Sequence, residues 1–145
     1  MPETMSKQKL ITSWIARIVA AVIMGQTLFF KFSGAAEPIH IFSTLGAEPW
    51  GRYATGVFEL IAAVLLLVPR TAAFGGLLTI GLMIGALGSH LFTPLGIVVK
   101  VPGQNGEPAV GDGGQLFIMG CIALVAGIIT TVLHKDQILG LLKKK

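Results

Sequence analysis

Charge is what this chain has least of. Only 12% of its 145 residues are Asp, Glu, Lys or Arg, against about 25% in an average soluble domain. Hydrophobic residues make up 53%, and the mean hydropathy is +0.79. A chain of this length is about one domain, and a soluble domain would need a polar surface that this composition does not supply. Cysteine is nearly absent as well. Cys121 stands alone in an apolar run, which excludes an intrachain disulfide, a CxxC redox pair and a cysteine-based zinc site. Redox chemistry would therefore have to use a bound cofactor or a partner, and no intrinsic cofactor is evident.

Metal-ligand spacing is missing too. His40, His90, Glu37 and Glu59 could gather in space, but no HxxxH or ExxH pattern sets two ligands on one helical turn, so no metal is expected. There is no phosphate-binding glycine loop, since Gly75, Gly76, Gly81, Gly85 and Gly88 lie inside an apolar run. The net charge of +4 does not point to nucleic acid. The basic residues sit at segment ends and form no stripe interleaved with aromatics.

What the chain does have is four long apolar stretches, at residues 10–32, 52–68, 71–92 and 114–134. Each approaches the length of about 17 to 25 residues that a helix needs to cross about 30 Å of hydrocarbon. The alternative, a soluble helical bundle, needs polar faces, and between Val57 and Val68 the only polar residue is Glu59. The expectation is an all-α polytopic membrane protein, a single transmembrane domain over 1–145 built as an antiparallel four-helix bundle. Reading helix 1 as a cleaved signal peptide fits poorly. Arg17 interrupts its apolar core, and the stretch exceeds the usual apolar length of about 7 to 15 residues.

The connections are uneven. Helices 2 and 3 are joined through Pro69 and Arg70, where proline forces an antiparallel return. The two other loops, 33–51 and 93–113, are long, rich in Gly and Pro, and lie on one side, where they could form a cap. Basic residues assign the sides. Lys7, Lys9, Arg17, Arg70, Lys135, Lys143, Lys144 and Lys145 fall with the termini and the hairpin, against Lys31, Arg52 and Lys100 on the loop side. The positive-inside rule then gives both termini in the cytoplasm, with the loops outside. Trp14, Trp50 and Tyr53 fall near helix ends, as interfacial aromatics do.

An ionisable group within a span costs about 2.5 to 3.5 kcal/mol on the insertion scale and so marks a functional candidate. Glu59 is the deepest, roughly 10 Å inward from Arg52, and it shares a small-residue face with Gly56 and Ala63. Lys31 closes helix 1 on the same side, with a stem long enough to reach Glu59. His90 closes helix 3 there and Gln115 opens helix 4. With His40 or Asp112 from the loops, these residues could line a polar pocket for a quinone headgroup, a small polar substrate or a proton path. They could equally form a network that only fixes helix register. Arg17 lies two heptads before Lys31 on nearly the same face, and either points inward or snorkels to the headgroups. Gly81 and Gly85 form a GxxxG, read as a close helix contact within the bundle.

Arg17, Lys31 and the run Phe58-Glu59-Leu60-Ile61-Ala62-Ala63-Val64-Leu65-Leu66-Leu67-Val68-Pro69-Arg70-Thr71-Ala72-Ala73 resemble the DoxX family of small four-helix bacterial membrane proteins. The resemblance covers roughly residues 11 to 92. It departs at Leu28, where the family has glycine. It implies a bacterial inner-membrane location and, in some members, kinship with the membrane subunit of a thiosulfate:quinone oxidoreductase. Quinone is then the cofactor to expect, and a membrane-protein partner or a second copy the company. Two further readings stay open: a non-catalytic assembly subunit of a larger complex, and a small transporter, for which four helices without internal duplication leave little room.

Overall fold

The computed structural model describes residues 5–143, which leaves Lys144 and Lys145 of the basic count outside the described residues. Among these residues the chain is mostly α-helical, with six α-helices: α1 (Lys7–Ser33), α2 (Ala36–Thr44), α3 (Trp50–Leu67), α4 (Ala72–Phe92), α5 (Gln115–Leu133) and α6 (Lys135–Lys143). Four of these segments are long and apolar enough to cross a membrane: α1, α3, α4 with its preceding 3-10 turn Pro69–Thr71, and α5.

Local chemistry explains the boundaries. Ser6 caps α1, its Oγ accepting the Lys9 N–H at 3.3 Å, which satisfies one of the orphan donors of a first turn. Gly34 ends α1 at φ +74°, a left-handed conformation that glycine adopts without a Cβ penalty. Between α3 and α4, Pro69 stops the first helix and the 3-10 turn starts the second. At α5 the Asp112 carboxylate accepts N–H groups from Gly114 at 2.9 Å and Leu116 at 3.3 Å, and it also holds Val99 N at 3.0 Å. A carboxylate on the first turn suits the positive end of the helix dipole.

The long loops hold more order than their composition suggests. Residues 33–51 contain α2, and residues 93–113 contain a short hairpin, β1 (Lys100–Val101) paired antiparallel with β2 (Val110–Gly111). Sequence patterning missed both, and it also missed α6. Two-residue strands and nine-residue helices are too short for apolar periodicity to reveal.

The four long helices pack in the cyclic order α1, α3, α4, α5, with α5 returning to α1. Their shared core is built of small and flexible residues, among them Ala16, Ala20 and Met24 of α1, Ala62 and Leu66 of α3, and Ala123 of α5. Larger apolar side chains point away from it, including Phe58, Val64, Ile84, Ile118 and Val125. This arrangement inverts that of a soluble bundle and leaves the helix exteriors apolar. α4 and α5 cross closely. A Cβ added at Gly76 would lie 2.9 Å from the Gly127 carbonyl oxygen, and one at Gly127 would lie 3.2 Å from the Gly76 oxygen. The GxxxG pair Gly81 and Gly85 makes no such contact, since a Cβ at either would meet nothing within 4 Å. The expected close contact is one helical turn displaced, because Thr131 and Gly127 of α5 approach Gly76 and leave the other two glycines facing open space.

Candidate functional site

The helical core has two polar ends. One carries α2 and the β hairpin and is called the cap end here; the other carries the Pro69 turn and α6 and is called the hairpin end. At the cap end, α1, α4 and α5 surround a cavity of about 730 Å³, with α2 and the start of α3 completing its wall. Ligand pockets commonly span about 300–1,000 Å³. Glu59, Lys31, His90 and Gln115, singled out from the sequence, all line this one cavity, and so do Gly81 and Gly85. The two glycines are what give the α4 wall its width.

Glu59 is 4% exposed, on a buried stripe of α3 with Gly56, Ala62 and Ala63. Lys31 comes from the last turn of α1, and its Nζ donates to both Glu59 oxygens at 2.6 and 2.7 Å. Thr27, one turn earlier on α1, lies 3.1 Å from Glu59 Oε2 and 2.8 Å from the Met24 carbonyl, so its single hydroxyl hydrogen is shared between them. Two opposite charges at this distance offset much of their mutual desolvation cost, while removing one would strand the other. The pair thus joins α1 to α3 and sets a net-neutral polar floor in an otherwise apolar chamber.

Two other groups at this end are tied down. His90 Nδ1 lies 2.7 Å from the Gly96 carbonyl oxygen. A carbonyl only accepts, so Nδ1 carries the hydrogen, and in the neutral ring Nε2 is an acceptor. The ring stands edge-on to Phe117, with centroids 5.7 Å apart. Arg52, counted from sequence only as a basic residue of the loop side, is a staple. Its Nε donates to both Glu48 oxygens at 2.9 and 3.0 Å, and its Nη1 donates to the Lys31 carbonyl. The i,i+4 spacing of Glu48 and Arg52 was the available signal.

The remaining candidates fall into place around the cavity. Gln115 sits exposed at the start of α5. Glu37, on the first turn of α2, also lines the cavity. Burial, and then the negative charge of Asp112, raise its carboxyl above the usual carboxylate range. His40 and Asp112 do not line the cavity, and Asp112 is spent on capping α5. Trp50 and Tyr53 are exposed at the cap end, whereas Trp14 is covered by a guanidinium.

That guanidinium belongs to Arg17, which is 1% exposed, points inward and does not line the cavity. It lies at the hairpin end, where Nε donates to the Leu66 carbonyl at 2.5 Å and Cζ sits 3.8 Å over the Trp14 ring. Its Nη2 has no hydrogen-bond partner among the described residues. Beside it Ser13 Oγ and His134 Nε2 are 2.6 Å apart, linking α1 to the end of α5. Burial, and then the charge of Arg17, hold His134 below the usual imidazole range. On α6, Gln137 donates to the Pro69 carbonyl at 2.6 Å and accepts the Ala73 N–H at 2.9 Å, so α6 clasps the hairpin. Ser13, His134 and Gln137 were not singled out from the sequence. Gln137 could not have been, since its partners are backbone atoms.

Fold and site together define a class: a helical membrane protein with four helices able to span, and one chamber walled by a buried ion pair. Compared with known proteins, the chain matches no family model, no curated protein and no solved structure.

Proposed function

We propose that the chain is a DoxX-like, multi-pass protein of a bacterial inner membrane, an antiparallel four-helix bundle with both termini cytoplasmic. In this reading the cap end faces outward, and the protein serves as an accessory, quinone-interacting subunit of a redox system. The orientation is supported by the basic residues of the sequence, eight on the side of the termini and three on the other. The observation that carries the functional reading is the cap-end chamber. It is large enough for a ring with part of its tail, it is walled by Ile23, Phe30, Leu82 and Met119, and its polar groups include Glu59, Lys31, His90, Gln115 and Glu37. A quinone has the same division, an apolar body with two polar oxygens. In this role the chain would bind and orient the quinone while a partner subunit supplies the electrons.

The test is quinone-linked electron transfer in membranes carrying Glu59→Gln. The expected outcome is a loss of activity with the protein still inserted; activity equal to wild type contradicts the reading.

A second reading, a non-catalytic assembly subunit, draws on one specific observation. Lys31 and Glu59 satisfy each other so fully that they need no ligand to explain their burial. It requires stoichiometric partners after mild detergent extraction, and recovery of the chain alone would count against it.

A further inference from the structure

The groups that face the cap-end cavity restrict the charge and hydrogen-bonding character of its occupant, and this bears on the proposed quinone reading while reaching past it. The two charges in the wall cancel, Lys31 lying 2.6 Å from Glu59. An anionic head would meet Glu59 and Glu37 across the chamber, and a cationic head would meet Lys31. Among the described residues no unpaired cation lines the chamber, and its unpaired carboxyl, Glu37, is held above the usual carboxylate range by burial and by Asp112, so a head that is itself uncharged loses least on burial. His90 adds direction. With Nδ1–H committed to Gly96, the neutral ring presents only Nε2, an acceptor that makes no hydrogen bond among the described residues. Nε2 is not sealed from the chamber, and an acceptor without a protein partner on the cavity wall is free to take a donor from the occupant. Phe30 and Gln26 are exposed on α1 and Gln115 is exposed on α5, all three on the cavity wall, so the wall continues to the outside between apolar helix faces.

We propose that the cavity takes an uncharged amphiphile drawn from the membrane, whose head group donates an O–H or N–H hydrogen to His90 Nε2 and whose chain leaves past Phe30. The inference rests on the reading of the chain as a membrane protein with a ligand-holding cap end, and it makes His90 the residue that determines specificity. Applied to a quinone couple, it selects the quinol, which carries hydroxyl hydrogens, over the quinone, which carries none.

The probes are a redox-inert prenylated phenol, its O-methyl ether, and the prenyl carboxylic acid and amine of equal chain length. Each is titrated calorimetrically into the full chain in detergent micelles at neutral pH. The phenol is expected to bind about tenfold tighter than the ether, the scale of one buried hydrogen bond, and tighter than the acid or the amine. His90→Asn keeps an N–H at the Nδ1 position for Gly96 but has nothing at Nε2. It is expected to bring the phenol-to-ether ratio to about one, with a thermal unfolding midpoint in detergent close to that of the wild type showing that the variant is folded. His90→Gln, whose carbonyl reaches the Nε2 position, should restore part of the ratio.

A wild-type ratio near one, a ratio unaffected by His90→Asn, or tightest binding by the acid or the amine would overturn the inference. If a prenylated quinone binds but the phenol and ether do not differ, the inference fails and the quinone reading stands. If quinone, phenol and ether all fail to bind, both fall.

Discussion

The cap end and the hairpin end of this molecule use the same helix, α1, to bury a cation fourteen residues apart, and they do it in opposite ways. At the cap end Lys31 meets a carboxylate, Glu59, beside an open chamber. At the hairpin end Arg17 meets a backbone carbonyl and an aromatic face in a closed core, with one nitrogen unpartnered among the described residues. The difference follows from the neighbouring helices. Near the hairpin end α4 and α5 close on each other through Gly76 and Gly127, whereas further along α4 its glycines meet no partner and leave space. A paired charge beside a void is an arrangement that a ligand can complete; a cation locked under packed backbone is one that holds helices in place.

Substitutions at the two ends should separate these roles. The largest effect is expected at the ion pair. Glu59→Leu leaves the half-buried Lys31 without its partner and should destabilise the protein by up to about 3 kcal/mol, whereas Glu59→Leu combined with Lys31→Met should recover most of that loss. Thermal unfolding in detergent checks both, and equal stability of the single and double variants would break the pairing argument.

Next come the glycines. Gly76→Leu drives a side chain into the Gly127 backbone and should cost about 1–3 kcal/mol. Gly85→Leu enters open space and should keep or slightly raise stability, because leucine favours helix over glycine by up to about 1 kcal/mol. Equal losses at the two sites would remove the contrast between a closed and an open end. Smaller still is Ser13→Ala, which takes away the hydroxyl facing His134 and should cost about 1 kcal/mol.

The hairpin end also predicts a pH dependence. His134 titrates below its ordinary 6.5 in the folded chain, chiefly through burial and then through Arg17. The unfolded chain therefore binds the proton more readily, and stability should fall as pH drops below about 6.5 and level off once the folded group has titrated. His134→Gln should flatten this part of the profile, measured as thermal midpoint against pH, and an unchanged slope would assign the titration to another group.

Much of this was legible in the residues. Length and apolarity gave the four long helices to within three residues at each end. The rule that a polar group inside a span needs a reason picked out Glu59, Lys31, His90, Gln115 and Arg17; the first four line one cavity, whereas Arg17 lies at the other end. What sequence could not show was spatial. Gly75, Gly76, Gly81 and Gly85 look alike in the chain, and only the position of α5 makes Gly76 a contact and Gly85 a wall. Asp112 resembled a pocket residue until its N–H partners appeared, and Gln137 gave no signal because it binds backbone. α2 was hidden in a loop rich in turn residues, although it forms one side of the chamber.

The most direct measurement is the quinone content of the purified protein, wild type against Gly85→Leu, quantified per chain by lipid extraction after mild solubilisation. Filling the chamber from the α4 side leaves the Glu59–Lys31 pair, the Arg17 contacts and the helix crossing untouched. The account predicts stoichiometric quinone and quinol, counted together, with the wild type and their loss from a Gly85→Leu protein of undiminished thermal stability. Equal totals in both, or none with the wild type, would contradict it.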